Sequence, residues 1–316
     1  MESASAECSQ IFYKVMNVMQ PVSPLTKPRA PTSETAKATN KKCAQTPGKF
    51  FKIYVLPPEH GGWFLLLGPF LLGALTAAQP HAALFVLLLF SLITYIARQP
   101  LTLLVKALSG RRAKSDVRPA LLALIGTGAL AALLLGILLW RGYTFLLWLG
   151  IPAALVMAWQ LWLVVQREER QLGIELVGAG MLALAAPAAY WVSVDAMTPT
   201  GWWLWLLAWL YAASAIVYVY LRLKQRRLKE MPSRAEQWRA GRRTLLYIGT
   251  AILFTAALAF GQWVPALTPF IFALAGAHFV YGITHPCVGV KPVRIGLEQS
   301  FAALLFYVLL GAAFLI

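Results

Sequence analysis

The sequence predicts an all-α fold, a polytopic bundle of about nine transmembrane helices. Three observations point there. Of the 316 residues, 59% are apolar and only 13% charged, against roughly 25% charged in an ordinary soluble domain, so most of the surface cannot face water. From Gly61 onward, apolar runs alternate with short polar breaks. The basic residues, in a chain of net charge +16, fall almost entirely in every second break.

A hydrocarbon core of about 30 Å takes about 20 helical residues to cross, and every backbone polar group in lipid must find its partner within its own helix. On that measure the spans lie at about Gly61–Ala78, His81–Leu104, Pro119–Trp140, Tyr143–Val165, Leu172–Val194, Gly201–Leu221, Thr244–Gln262, Trp263–Thr284 and Gln299–Ile316. The second is the least regular. Arg98 lies near its end, where the cation can snorkel to the interface, and Pro100 is expected to kink or break the helix. The 12 Trp suit a protein anchored at two lipid–water boundaries.

Orientation follows from the cations. Of the 28 Lys and Arg, only Arg141 falls in the set of breaks opposite the basic one. The positive-inside rule then puts the N-terminus and the basic loops in the cytoplasm and the C-terminus outside. A soluble chain of this charge would suggest nucleic-acid binding. Here the charges lie between apolar runs, and the partners they imply are membrane lipids, above all the anionic headgroups of the inner leaflet. The stretch Arg226–Arg243 reads as a basic amphipathic segment lying on that leaflet, with Trp238 inserting.

Residues 1–51 are polar and rich in Ser, Thr, Ala, Lys and Pro. They cannot bury a core and read as a disordered basic tail, ahead of a transmembrane domain over 52–316. A transit peptide or an over-extended start, with Met16 or Met19 as rival initiators, fits the same composition. The cysteines Cys8, Cys43 and Cys287 form no CxxC pair, so neither a disulfide framework nor a structural metal site is expected. No metal or cofactor is called for.

Candidate chemistry sits where polar groups enter the apolar runs. Glu59 and His60 open the first span, pairing a carboxylate that a helix N-terminus favours with an imidazole that exchanges protons near neutral pH. Arg98 and Lys106 close the second span, as membrane anchors or as an anion clamp. Glu175 lies one turn inside the fifth span, where a carboxylate is costly without a partner or water; Arg98 and Arg222 are predicted at its depth. Tyr218, Arg222 and Lys224 end the sixth span, as an interfacial belt or part of a site. His278, His285 and Glu298 bracket the last connection as secondary candidates. A faint internal echo links Glu59, Gly61, Gly62 and Pro69 with Glu175, Gly178, Gly180 and Pro187.

The run Glu59-His60-Gly61-Gly62-Trp63, followed by Gly68-Pro69-Phe70-Leu71-Leu72-Gly73, resembles the opening of the YwiC-like family of bacterial integral membrane proteins. Arg98-Gln99-Pro100 with Lys106, and Glu175-Leu176-Val177-Gly178, fit the same pattern, so the resemblance covers nearly everything after Phe51. It implies a multi-pass protein of a bacterial cytoplasmic membrane and supplies no reaction. Nine spans with long basic loops after the second and sixth also resemble, more distantly, the UbiA-type prenyltransferase superfamily. Members of that superfamily carry Asp-rich motifs near those loops to hold Mg²⁺ on a prenyl diphosphate. This chain has no Asp or Glu from Thr94 to Ser115 or from Trp202 to Lys229, so the oxygen cage for Mg²⁺ is missing and cations stand in its place.

The expected function is binding of an anionic amphiphile, lipid or isoprenoid-like, in a cytoplasm-facing cavity, with Arg98 and Arg222 on the head. The alternatives are a divergent UbiA-like prenyltransferase, a small-solute transporter coupled to protons through Glu175 and His278, and a non-catalytic subunit of a larger membrane complex.

Overall fold

The structure, a computed structural model, describes residues 50–57, 62–79, 81–166 and 171–316. Among them there is no strand. The described chain is an all-α membrane bundle. Its helices are α1 (Gly62–Ala77), α2 (Ala82–Leu108), α3 (Val117–Trp140), α4 (Leu146–Gln166), α5 (Leu172–Leu182), α6 (Ala185–Val194), α7 (Pro199–Gln225), α8 (Arg234–Phe260), α9 (Thr268–Thr284) and α10 (Pro292–Ala313). With α5 and α6 taken as one pass, seven of these segments are long and apolar enough to cross a membrane, while α1 and α9 are shorter apolar helices of 16 and 17 residues.

Four differences from the sequence reading have local causes. Pro100 does not break α2, which runs on to Leu108 with Pro100 buried inside it. Only one ladder hydrogen bond is forfeited there, and the packing around a buried residue holds the helix through it. The fifth span, read as one helix, is divided at Ala183-Leu184. Pro187 has no N–H to give the Ala183 carbonyl, which instead receives the amide of Ala186 in a tighter three-residue turn. Finally, α8 starts ten residues before the expected Thr244. Ser233 and Glu236 form a reciprocal capping box there, so the second half of the supposed surface segment is the first turns of a long helix. Pro292 likewise starts α10 early, at a position where its missing N–H costs nothing.

The central helix is α1. Its Gly73 lies on the backbone of Ala186 and Tyr190 in α6, and its Gly68 lies on the Tyr307 ring of α10. Leu65, one turn into α1, and Leu172 and Leu176 of α5 pack on the same cluster of Ala179, Ala212 and Ile216, and Gly311 of α10 lies on Leu75 of α1. These pairs advance together along both chains, so α1, α5–α6 and α10 run in the same direction. The α7 helix runs oppositely, since Trp209 Nε1 donates to the Leu176 carbonyl at 2.8 Å and Trp205 Nε1 to the Gly180 carbonyl at 2.9 Å. The connections around Arg111, Arg226 and Lys291 therefore gather at the end where α1 begins. Arg141 and Asp195 lie at the other end.

Two buried clusters hold this together. One gathers α1 and α6 to α10 around Leu72, Ala186, Tyr211, Phe272 and Tyr307. The other joins α1, α2, α4 and α6 around Leu66, Leu87, Leu149 and Trp191. Many of the remaining large side chains, such as Leu122, Leu155, Trp162, Leu253 and Phe270, are exposed on the outside of the bundle, as lipid-facing positions are.

Candidate functional site

A pocket of about 450 Å³ opens at the basic end between α2 and α4. Its α2 wall is a single stripe: Arg98, Gln99, Thr102, Leu103 and Lys106 recur at the helical spacing that puts them on one face. The facing wall is Met157, Gln160, Leu161 and Val164 of α4, again one stripe. Tyr95, Arg112, Pro57 and Ile174 complete it. Three cations thus stand over a slot that mixes apolar side chains with Tyr95, Gln99, Thr102 and Gln160, and among the described lining residues there is no Asp or Glu.

The rim is braced. Arg111 donates from Nη1 to the carbonyl of Val164 at the end of α4, tying the α2–α3 connection to the opposite wall. Arg112 Nε lies 3.0 Å from the Asp116 carboxylate, which also accepts from Tyr54 Oη at 2.8 Å. A π-helical turn over Phe51–Val55 lies across this corner, with Tyr54 and Val55 packed on Leu103, Ala120 and Ala123. Deeper in, Gln160 is 7% exposed and its Oε1 has no hydrogen-bond partner among the described residues. Gly178 makes room for it, since a methyl there would sit 2.8 Å from Gln160 Nε2.

The residues singled out from the sequence divide among separate places. Arg98 and Lys106 line the pocket. Glu59 and His60 lie outside the described residues. Glu175, in the first turn of α5, accepts a 2.6 Å hydrogen bond from Tyr220 Oη and is not among the residues that line the pocket. Arg222 is elsewhere again: 8% exposed, it donates from Nη1 to the carbonyls of Gly282 at 2.9 Å and His285 at 2.8 Å, and its Nη2 lies 3.8 Å from Glu298. Tyr218 packs against His278 beside it. Lys224 is exposed. Among the described residues no three His, Cys, Asp or Glu gather as a metal site would require.

Arg112, Met157 and Gln160 were not singled out from the sequence. Gln160 carried a signal, a lone amide in an apolar span on a stripe with Met157 and Val164. Arg112 carried none, because nothing separates it from its neighbours in a basic loop until the fold turns it inward.

Residues 56–190 match the model of a family described as YwiC-like protein. Every residue that lines the pocket falls inside this stretch, whereas α7 to α10 lie beyond it. No curated protein and no solved structure matches the chain.

Proposed function

Taking the chain as a YwiC-like helical membrane protein, we propose that it binds an anionic amphiphile at the α2–α4 pocket, with the basic end of the bundle facing the cytoplasm. One observation carries this reading: Arg98 and Lys106 stand together opposite Met157, Leu161 and Val164 of α4, with Arg112, paired to Asp116, at the rim and no carboxylate among the described lining residues. Guanidinium and ammonium donors at the edge of a low-dielectric slot make charge-assisted hydrogen bonds to phosphate or carboxylate, and Arg presents a planar fork that fits either. Met157, Leu161 and Val164 supply the surface an apolar tail would cover. Arg222 is left out of the clamp, because its guanidinium is engaged with α9 carbonyls and Glu298.

The head is held directly by cations. A metal-bridged diphosphate would require oxygen ligands at the same place, and the described walls offer only the side-chain oxygens of Tyr95, Gln99, Thr102 and Gln160. The reading is therefore binding of the anion, with prenyl transfer as an outcome to be tested.

The experiment is native mass spectrometry of the full chain from nanodiscs of phosphatidylcholine with phosphatidylglycerol as the anionic probe. The wild-type chain should retain phosphatidylglycerol. Removing the donors in Arg98→Ala, Lys106→Ala should weaken retention by about tenfold or more, since each hydrogen bond to a charged group contributes about 1.5–3 kcal/mol. Unchanged retention in the double variant would overturn the site. Turnover of a labelled prenyl diphosphate by the wild-type chain would replace binding with chemistry.

A further inference from the structure

A second groove runs between α9 and α10, with a volume of about 560 Å³. It follows α9 from Ile271 to Tyr281, about 15 Å at the helical rise. Its walls are apolar, with Leu274, Ala275, Phe301, Ala302 and Leu305 among them, and only its basic-end mouth is polar, where His278, Tyr281 and Glu298 meet. Leu274, Phe301 and Leu305 are exposed on the outside of the bundle, so the medium against this groove is lipid.

The mouth selects the head. The Glu298 carboxylate lies 3.8 Å from Arg222 Nη2 and 3.5 Å from Arg294 Nε. Both of these guanidiniums turn to the same carboxylate, and Arg222 Nη1 is engaged with two backbone carbonyls. An anionic head arriving in the groove would face Glu298 with no Lys or Arg among the described lining residues, whereas Arg98, Lys106 and Arg112 line the α2–α4 pocket. A neutral head with a hydroxyl fits. Glu298 accepts a hydrogen bond from it, and with the Gln299 amide donating to His278 Nε2 at 3.2 Å the imidazole proton falls on Nδ1, as a second donor.

We propose that the α9–α10 groove binds a neutral membrane lipid with a hydroxyl-bearing head, the tail lying along Leu274 and Leu305 and the hydroxyl held between Glu298 and His278. The two sites then divide amphiphiles by charge, the anionic kind at α2–α4 and the neutral kind at α9–α10.

The test uses the full chain carrying Arg98→Ala and Lys106→Ala, so that the first pocket does not contribute and its failure is read separately. Phosphatidylcholine nanodiscs are doped with either dioleoylglycerol or dioleoylphosphatidic acid, which share tails and differ in head charge. Native mass spectrometry should show dioleoylglycerol retained roughly tenfold better, a difference of about 1.4 kcal/mol. Ala302→Trp should fill the groove and remove that retention. Glu298→Gln should shift selectivity toward phosphatidic acid by freeing Arg222 and Arg294, a change of preference that misfolding does not produce. Equal retention of the two probes, retention unaffected by Ala302→Trp, or unchanged selectivity in Glu298→Gln would each overturn the proposal.

Discussion

Gly73 of α1 rests against the peptide backbone of Ala186 in α6, and a side chain at position 73 would collide with the Ala186 carbonyl. Backbone cannot swing away as a flexible side chain can, so two transmembrane passes are locked at the distance that glycine permits. Gly73→Ala is expected to lower stability by roughly 1–3 kcal/mol, the usual cost of overpacking a close contact. Gly126→Ala and Gly249→Ala, at helical sites with nothing within 4 Å, should leave it unchanged or slightly raised. Thermal unfolding in detergent, read by loss of monodisperse protein, checks the contrast. Equal melting of all three variants would show that the α1–α6 contact does not limit stability.

The same contact shows what a sequence can and cannot disclose. Apolar runs and cation placement made the bundle legible, because period and hydrophobicity act locally. The faint echo of Glu59, Gly61, Gly62 and Pro69 in Glu175, Gly178, Gly180 and Pro187 hinted at a repeat, but nothing in either segment tells that Gly73 meets Ala186. The site divided in the same way. Arg98 was visible as a cation too deep for a simple loop, with Lys106 following it in the basic break. Arg222 looked equivalent by depth, yet the partners that occupy it, the carbonyls of Gly282 and His285, are backbone groups some 60 residues away, and backbone carbonyls carry no signature in a sequence.

Arg222 should behave as a structural lock. Its removal would leave the carbonyls of Gly282 and His285 without the donor that now satisfies them, and a hydrogen bond to a charged group contributes about 1.5–3 kcal/mol. Arg222→Lys keeps the charge but not the planar fork, and should fall between Arg222→Ala and wild type in melting temperature. Cys287 offers a local reading. It is buried and its thiol donates to the Arg222 carbonyl at 3.2 Å. In a Cys8→Ser, Cys43→Ser background, Arg222→Ala should greatly speed maleimide labelling of Cys287. Labelling as slow as in the parent would mean that the α9–α10 connection stays closed without the guanidinium.

At the opposite end, Tyr143 lies in the connection between α3 and α4 and donates at 2.9 Å to Asp195, while His81 Nε2 lies 3.7 Å from the same carboxylate. Burial first, then the hydrogen bond and charge of Asp195, push the Tyr143 phenol up from 10.0 to about 12. A raised folded-state value means that the stabilisation is complete below the phenol's ordinary range and is lost as pH rises through about 12. A tyrosinate absorbance titration should therefore lose one of its late groups in Tyr143→Phe, and that group should move to lower pH in Asp195→Asn. It should remain above the ordinary value there, because burial is the larger cause.

The last expectation concerns the brace at the mouth of the α2–α4 pocket, where Asp116 takes a hydrogen bond from Tyr54 and an ion pair from Arg112. The two contacts are unequal. The Arg112 pair is an exposed i,i+4 contact, of a kind that contributes about 0.3–0.5 kcal/mol. Tyr54 is nearly fully buried, and a hydrogen bond to a charged group contributes about 1.5–3 kcal/mol. Tyr54→Phe should therefore speed amide hydrogen exchange across 50–57 by about tenfold or more, whereas Arg112→Ala should change it less than threefold, the ceiling such a weak pair sets. Asp116→Asn should resemble Tyr54→Phe more than Arg112→Ala. If Arg112→Ala loosened the segment as much as Tyr54→Phe, the ion pair rather than the phenol would be what holds the N-terminal turn against the pocket.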